Sequence, residues 1–223
     1  MPRDQIIHLA YDDVANDPAN PFPGQIFNKP TDKGTPGVNV YDASDIDYRG
    51  DDVSKTNFFN ALLGNDENGP ALKSDENSNV FVYYNSYGGL GEMNTPGGSL
   101  DTIYAEQLAN TLIKMHDKKM FKELVFYLEG SQSASMFDLV STDLNIYALT
   151  STDNYNLNVQ AYCGRHGKVD GKNLGICLGD LFSVTWMEDL EANDPCTETL
   201  DAQAQTVMSQ TVDQYATVQQ HGD

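Results

Sequence analysis

The chain has 223 residues, 39% of them apolar, with 33 acidic against 13 basic side chains and a formal charge of −20. That length and apolar content suffice for one sizeable core, so a single α/β domain over residues 1–223 is expected. The acidity excludes nucleic acid and anionic lipid as partners, because phosphate recognition needs surfaces rich in Lys and Arg. No stretch approaches the roughly 20 apolar residues of a membrane span, so direct membrane insertion is not expected. Met1-Pro2-Arg3-Asp4 does not read as the start of a signal peptide. No Asn-x-Ser/Thr acceptor with a permitted middle residue occurs, and the compartment stays open.

In chain order, Gln5–Ala10 reads as a short apolar strand, followed by about forty residues rich in Asn, Pro, Gly and Asp that read as a surface excursion. Within it, Asp45, Asp47 and Gly50 fall at calcium-loop offsets. Arg49 takes a ligand position, however, and Thr56 stands where a bidentate Glu is required, so no calcium is expected. Arg49-Gly50-Asp51 is an integrin-type tripeptide, but matches of three residues arise by chance. Ser54 is a natural N-cap for a helix carrying Phe58, Phe59, Leu62 and Leu63 and ended by Gly64. Val80–Tyr84 predicts a strand buried on both faces, followed by a turn at Gly88-Gly89. Asp101 can cap a second helix with Ile103, Leu108, Leu112 and Met115 on its inner face. Leu124–Leu128 and Asn145–Leu149 are further strands.

Of the three cysteines, Cys163 and Cys177 bracket a Gly/Lys-rich loop and could close it as a disulfide, leaving Cys196 odd. A zinc site from Cys163, His166 and Cys177 lacks a fourth ligand, and no metal is expected. Leu181–Leu190 predicts a helix with Trp186 and Met187 turned inward. From Thr197 to Val218, Leu200, Ala204, Val207, Thr211, Tyr215 and Val218 form a narrow packing stripe on a polar helix. Strands alternating with capped helices predict right-handed βαβ units and a parallel sheet, whose ligands gather at the carboxyl ends of the strands.

Several motifs in register then point to one family. Tyr11-Asp12-Asp13-Val14-Ala15 and Asn20-Pro21-Phe22-Pro23-Gly24 come first. The Val80 and Val125 strands, Asn145-Ile146-Tyr147-Ala148, Cys177-Leu178-Gly179-Asp180-Leu181 and Trp186-Met187-Glu188-Asp189 follow. The chain resembles legumain, the asparaginyl endopeptidase of peptidase family C13, over essentially its whole length. The resemblance implies a caspase-like three-layer sandwich with a mostly parallel sheet flanked by helices. Relative to that family, the first strand and helix have no counterpart before Gln5, and no C-terminal prodomain follows Asp223. The family is lysosomal, vacuolar or secreted.

The resemblance also assigns roles. Ser131, in Glu129-Gly130-Ser131-Gln132-Ser133, stands where the family has its nucleophilic Cys, and Tyr87, in Ser86-Tyr87-Gly88-Gly89, stands where it has the basic His. A serine hydroxyl lacking an imidazole base is a poor nucleophile, and a phenol with a pKa near about 10 is a poor base at neutral pH. The backbone amides of Gly88 and Ser131 take the oxyanion-hole positions. Glu129 and Asp180 match the acidic walls of the asparagine pocket, whereas Asn156-Leu157-Asn158 replaces the family's Glu-Ser-Ser wall. The expectation is a non-catalytic legumain-like protein, without cofactors, that binds protein partners or serves an assembly. The alternative is a residual endopeptidase or ligase acting through Ser131.

Overall fold

The computed structural model describes residues 2–222. In chain order the described residues form α1 (Lys55–Leu62), β1 (Asn79–Asn85), β2 (Gly88–Gly89), β3 (Glu92–Met93), β4 (Ile103–Tyr104), α2 (Ala105–Asp117), β5 (Glu123–Glu129) and β6 (Ile146–Thr150). They continue with β7 (Gln160–Ala161), β8 (Lys168–Val169), β9 (Lys172–Asn173), β10 (Gly179–Asp180), α3 (Leu181–Ala192), α4 (Leu200–Thr211) and β11 (Gln219–His221). The described residues fall into two compact units: residues 2–11, 44–157 and 218–222 in one, and 12–43 and 158–217 in the other.

The first unit holds a four-stranded sheet in the order β1-β5-β6-β11. β1, β5 and β6 are parallel, with Val80 opposite Leu124 and Leu124 opposite Ile146, while β11 runs antiparallel to β6. The parallel strands and helices give the mixed α/β architecture expected of the caspase-like fold. Helix α2 presents Leu108, Leu112 and Met115, all with no exposed surface, to a core shared with Phe58 and Leu62 of α1, Val80 and Val82 of β1, and Leu124, Phe126 and Leu128 of β5. Each such side chain contributes about 1.5–3 kcal/mol by leaving water.

Strand β1 is not buried on both faces. Val80 and Val82 enter the core, but Phe81 and Tyr83 alternate onto the opposite face and stay partly exposed. β1 lies at an edge, paired among the described residues only with β5. Gln5–Ala10 does not form a strand ladder either. A 3-10 turn spans Arg3–Gln5, and the extended residues after it make one isolated parallel bridge, Leu9 with Tyr48. The Arg3 guanidinium donates to Asp45 Oδ1 and Asp47 Oδ2, each at 3.1 Å, so it is Arg3 that neutralises the carboxylates with calcium-loop spacing.

Ser54 caps α1 as its sequence predicts, accepting from Asn57 N at 3.2 Å. Asp101 does not cap α2, which starts four residues later at Ala105. Its Oδ2 instead accepts the amide of Lys55, the first residue of α1, at 2.8 Å, and the Thr95 hydroxyl at 2.6 Å. One carboxylate thus serves a helix N-terminus distant in sequence, where the macrodipole favours negative charge. Strand β11 has no sequence signal. It is fixed by the ladder to β6 and by Gly222, at φ +80°, where any Cβ would collide with the Ile146 carbonyl.

In the second unit, β7 and β10 pair antiparallel, with Gly179 opposite Ala161. β10 runs directly into α3, which packs on α4. Cys163 and Cys177 are joined across 14 residues. Inside that loop the β8–β9 hairpin buries Val169 against Phe27 and Leu178. The segment before residue 43 is therefore more than a surface excursion, since Ala15 and Phe27 are buried and Thr31 N donates to the Lys168 carbonyl at 2.8 Å. Trp186 is buried as expected, with Met187 only half-buried. The C-terminal helix is shorter than its stripe predicts. α4 ends at Thr211, a 3-10 turn follows, and Tyr215 projects into solvent at φ +66°. Only Ala204, Val207 and Thr211 of the stripe within α4 are fully buried, and Leu200 is exposed.

Candidate functional site

Ser131 and Tyr87 sit on loops at the carboxyl ends of neighbouring parallel strands, β5 and β1. Ser86 N donates to the Glu129 carbonyl at 3.1 Å, carrying the β1–β5 ladder one step beyond the strands. The chain then turns back through the β2-β3-β4 sheet, and the Asn94 carbonyl accepts from the Ser86 hydroxyl at 2.7 Å and the Tyr84 hydroxyl at 2.8 Å. Burial holds the Tyr84 phenol well above its ordinary pKa, so it stays a neutral donor. The backbone carbonyl of Tyr87 accepts from Asn94 N, but its side chain is 87% exposed.

Two glycines let the turns touch. A Cβ on Gly88 would stand 2.8 Å from the Ser131 carbonyl oxygen and 3.6 Å from its amide nitrogen, and one on Gly130 would stand 2.8 Å from the Ser86 carbonyl oxygen. Only residues without a Cβ permit such an approach. The structure thus brings Gly88 and Ser131 together, with Tyr87 next in the chain to Gly88.

Beneath Ser131 lies a set of buried hydroxyls. Gly130 N donates to Ser151 Oγ at 3.1 Å, and the Gly130 carbonyl accepts from Thr152 Oγ1 at 2.9 Å. Ser133 N donates to Thr152 Oγ1 at 2.9 Å, and Thr152 N donates to Ser133 Oγ at 3.1 Å. The Ser135 hydroxyl donates to the Gln132 carbonyl and accepts from Gly91 N at 2.8 Å. Gln132 adopts the left-handed conformation at φ +57°, its amide donating to the Asn156 carbonyl at 2.9 Å. Buried networks with every member satisfied rigidify a local structure, and this one fixes the loop that carries Ser131. Sequence reasoning passed over Ser133, Ser135, Ser151 and Thr152. Their signal is the pair of hydroxyl-rich runs, Ser131–Ser135 and Thr150–Thr152, that directly follow two apolar strands.

Glu129 ends β5 with no exposed surface. Asp180 is half-buried in the second unit, opposite Gln160 in the β7–β10 pair and immediately before α3. The two carboxylates assigned to the pocket thus belong to different units. The four histidines have other partners. His8 engages the Asp45 carbonyl, His116 lies by Asp117 and Phe121, His166 accepts from Arg165, and His221 stacks near Phe137. In the disulfide-closed loop, His166 faces Arg165 and both flanking cysteine sulfurs are bonded to each other.

This fold, with two strand-end loops meeting at a serine, is that of a protease-family protein: the chain matches the Peptidase C13 family over residues 1–223 and belongs to it. It is similar to the vacuolar-processing enzyme of Vicia sativa, 38% identical over 99% of this chain and 45% of that protein. The delta-isozyme of the vacuolar-processing enzyme of Arabidopsis thaliana is 37% identical over 92% of this chain and 44% of its own length. Legumain of Mus musculus is 35% identical over 95% and 46% respectively. The chain spans less than half the length of these curated relatives.

Proposed function

We propose that this member of the C13 family is a pseudoprotease, a legumain-like scaffold that binds protein partners or serves an assembly without cleaving them. The observation that carries the reading is the pairing at the strand ends: Ser131 meets the Gly88 turn, yet the residue beside Gly88 is an exposed tyrosine, and the histidines lie against Asp45, Asp117, Arg165 and Phe137. An alcohol needs a base within hydrogen-bond reach to act as a nucleophile. Tyr87, exposed and phenolic, supplies none at neutral or acid pH. Backbone donors at Gly88 and Ser131 would leave at most the weak acceleration of an oxyanion hole. Glu129 and Asp180 persist in this reading as structural carboxylates.

The test is turnover of Asn-containing fluorogenic peptides between about pH 4 and pH 8, the range in which a histidine or carboxylate base would titrate. The expected result is no turnover above buffer. Turnover that Ser131→Ala abolishes would overturn the proposal in favour of a hydrolase acting through Ser131. The complementary variant carries Ser131→Cys with Tyr87→His. It is expected to gain cleavage by at least about 100-fold over the parent, because the scaffold that holds both positions is present.

A further inference from the structure

Asn68-Gly69 is the one Asn-Gly pair in the chain, and it lies in the link between α1 and β1. The link is pinned near both ends, by Asn65 N on the Asn60 carbonyl and by Leu72 N on the Ala61 carbonyl, each at 2.9 Å. Between those points the backbone amides of Asn68 and Gly69 donate to no acceptor among the described residues. Amides without a protein partner are left to water. Asn68 is exposed, and its Nδ2 donates to Asn57 Oδ1 at 3.3 Å.

The glycine is required by its neighbour. Tyr48 is 2% exposed, and its ring stands 2.7 Å from where a Cβ on Gly69 would lie, with Gly69 at φ +152°. The Tyr48 hydroxyl donates to the Pro70 carbonyl at 2.8 Å, and the Tyr48 carbonyl accepts from Ala10 N at 3.0 Å. Packing on Tyr48 thus demands a residue without a side chain immediately after an exposed asparagine. The same demand strips the Gly69 amide of the steric shield that a Cβ provides.

We propose that Asn68 is a site of spontaneous modification, in which water converts it to isoaspartate through a succinimide and so loosens the clamp on Tyr48. Gly69 N loses its proton to hydroxide and attacks Asn68 Cγ. A new C–N bond forms, the Cγ–Nδ2 bond breaks, and Nδ2 takes a proton from water and leaves as ammonia. Water then opens the ring. Breaking the bond to Cγ gives aspartate in the ordinary chain, whereas breaking the bond to the main-chain carbonyl carbon gives isoaspartate, with the chain routed through Cγ. Either product replaces the Nδ2 donor by a carboxylate, which has no hydrogen for Asn57 Oδ1. Isoaspartate also adds a methylene to the main chain beside Gly69, and the added length displaces Gly69 and Pro70 from the Tyr48 ring. The inference is independent of the reading of Ser131.

Peptide mass spectrometry of the folded chain held in mildly alkaline buffer tests this, with methyl labelling by an isoaspartyl methyltransferase as a second readout. Asn68 is expected to convert at least about tenfold faster than Asn145, which is exposed but followed by the β-branched Ile146. It should stay within about tenfold of its rate in a synthetic peptide of residues 64–72. Asn68→Gln, whose longer side chain closes a less favourable ring, should remove most of the methyl labelling. The converted fraction carries an added negative charge and separates by anion exchange. In it the Ala10 amide, which is bonded to Tyr48, should exchange hydrogen at least about fivefold faster. An Asn68 that keeps its amide while the peptide converts would overturn the site, as would labelling unchanged by Asn68→Gln. Conversion with exchange at Ala10 unchanged would overturn the coupling to Tyr48.

Discussion

The unit that carries the central sheet has a large apolar core shared by helices and strands, whereas the unit that carries the disulfide adds a covalent bond and polar pairs to smaller apolar clusters. In the first, α1, α2, β1, β5 and β6 all contribute to the same buried cluster. In the second, Val169 packs with Phe27 and Leu178 in one place and Ala161 with Leu181 and Val184 in another. Phe182, Trp186, Ala204 and Val207 of α3 and α4 are buried as well, and covalent and polar links add to these apolar contacts: Cys163–Cys177, the Tyr162 hydroxyl on Glu188 at 2.6 Å, and Asp189 between Asn193 and Gln203. Burial and the bond to Glu188 push the Tyr162 phenol up to about 12, so it remains a donor throughout the physiological range. The difference teaches that the two units answer to different perturbations, the first to lost volume and the second to redox state and pH.

The single tryptophan, Trp186, lies in the second unit and gives that unit its own fluorescence signal beside the circular dichroism of the whole. The largest expected effect is Leu112→Ala, which opens a cavity in the large core and should cost about 2–5 kcal/mol in urea unfolding followed by circular dichroism. If it cost under about 1 kcal/mol, the contrast between the units would fail. Replacing Cys163 and Cys177 by Ser, or reducing them, should cost about 3 kcal/mol for a loop of this length, read by Trp186 emission. A reduced protein with an unchanged emission transition would show that the small clusters suffice without the bond.

Thr152→Val keeps the shape beneath Ser131 and removes the hydroxyl that serves Gly130 and Ser133, so about 1–3 kcal/mol should be lost, against less than about 0.5 kcal/mol for the exposed Tyr87→Ser. Equal costs at the two positions would mean that the loop is not held from below. The smallest effect concerns Glu198, whose carboxyl is raised above its ordinary pKa by burial and by the neighbouring Asp189. A raised acid binds its proton more tightly when folded. Its stabilising contribution is therefore complete below the unfolded pKa and lost as pH rises through the folded one. Glu198→Gln should flatten the decline of the Trp186 transition between acid and neutral pH, and an unchanged slope would assign that decline to other groups.

Much of the first unit was legible because single residues carry its signals. Ser54 caps the helix it should, Leu108, Leu112 and Met115 share one face of α2, and the apolar run Leu124–Leu128 is a strand. The errors have physical causes. β1 reads as continuously apolar because Phe81 and Tyr83 are aromatic, yet their alternation with Val80 and Val82 puts them on the less covered face. Asp101 sits where a cap for α2 belongs, but its carboxylate reaches α1 through a contact 46 residues away in sequence. β11 is short and polar and owes its existence to a ladder and one glycine. At the site, Ser131, Tyr87 and Gly88 were placed by motif, while the supporting hydroxyls of Ser133, Ser151 and Thr152 act through contacts between two strand ends that no single motif contains.

Among the described residues β1 forms an edge of the sheet, and that edge has a practical consequence for handling this chain. Asn79–Asn85 contains no charge and no proline, the usual guards against strand-to-strand association, and it alternates β-branched and aromatic residues. The overall charge of −20 opposes such association, and it vanishes near the isoelectric point of about 4.2. Solutions brought toward that pH should cloud with cross-β precipitate seeded at this strand, and one lysine placed at Phe81 or Tyr83 should keep them clear.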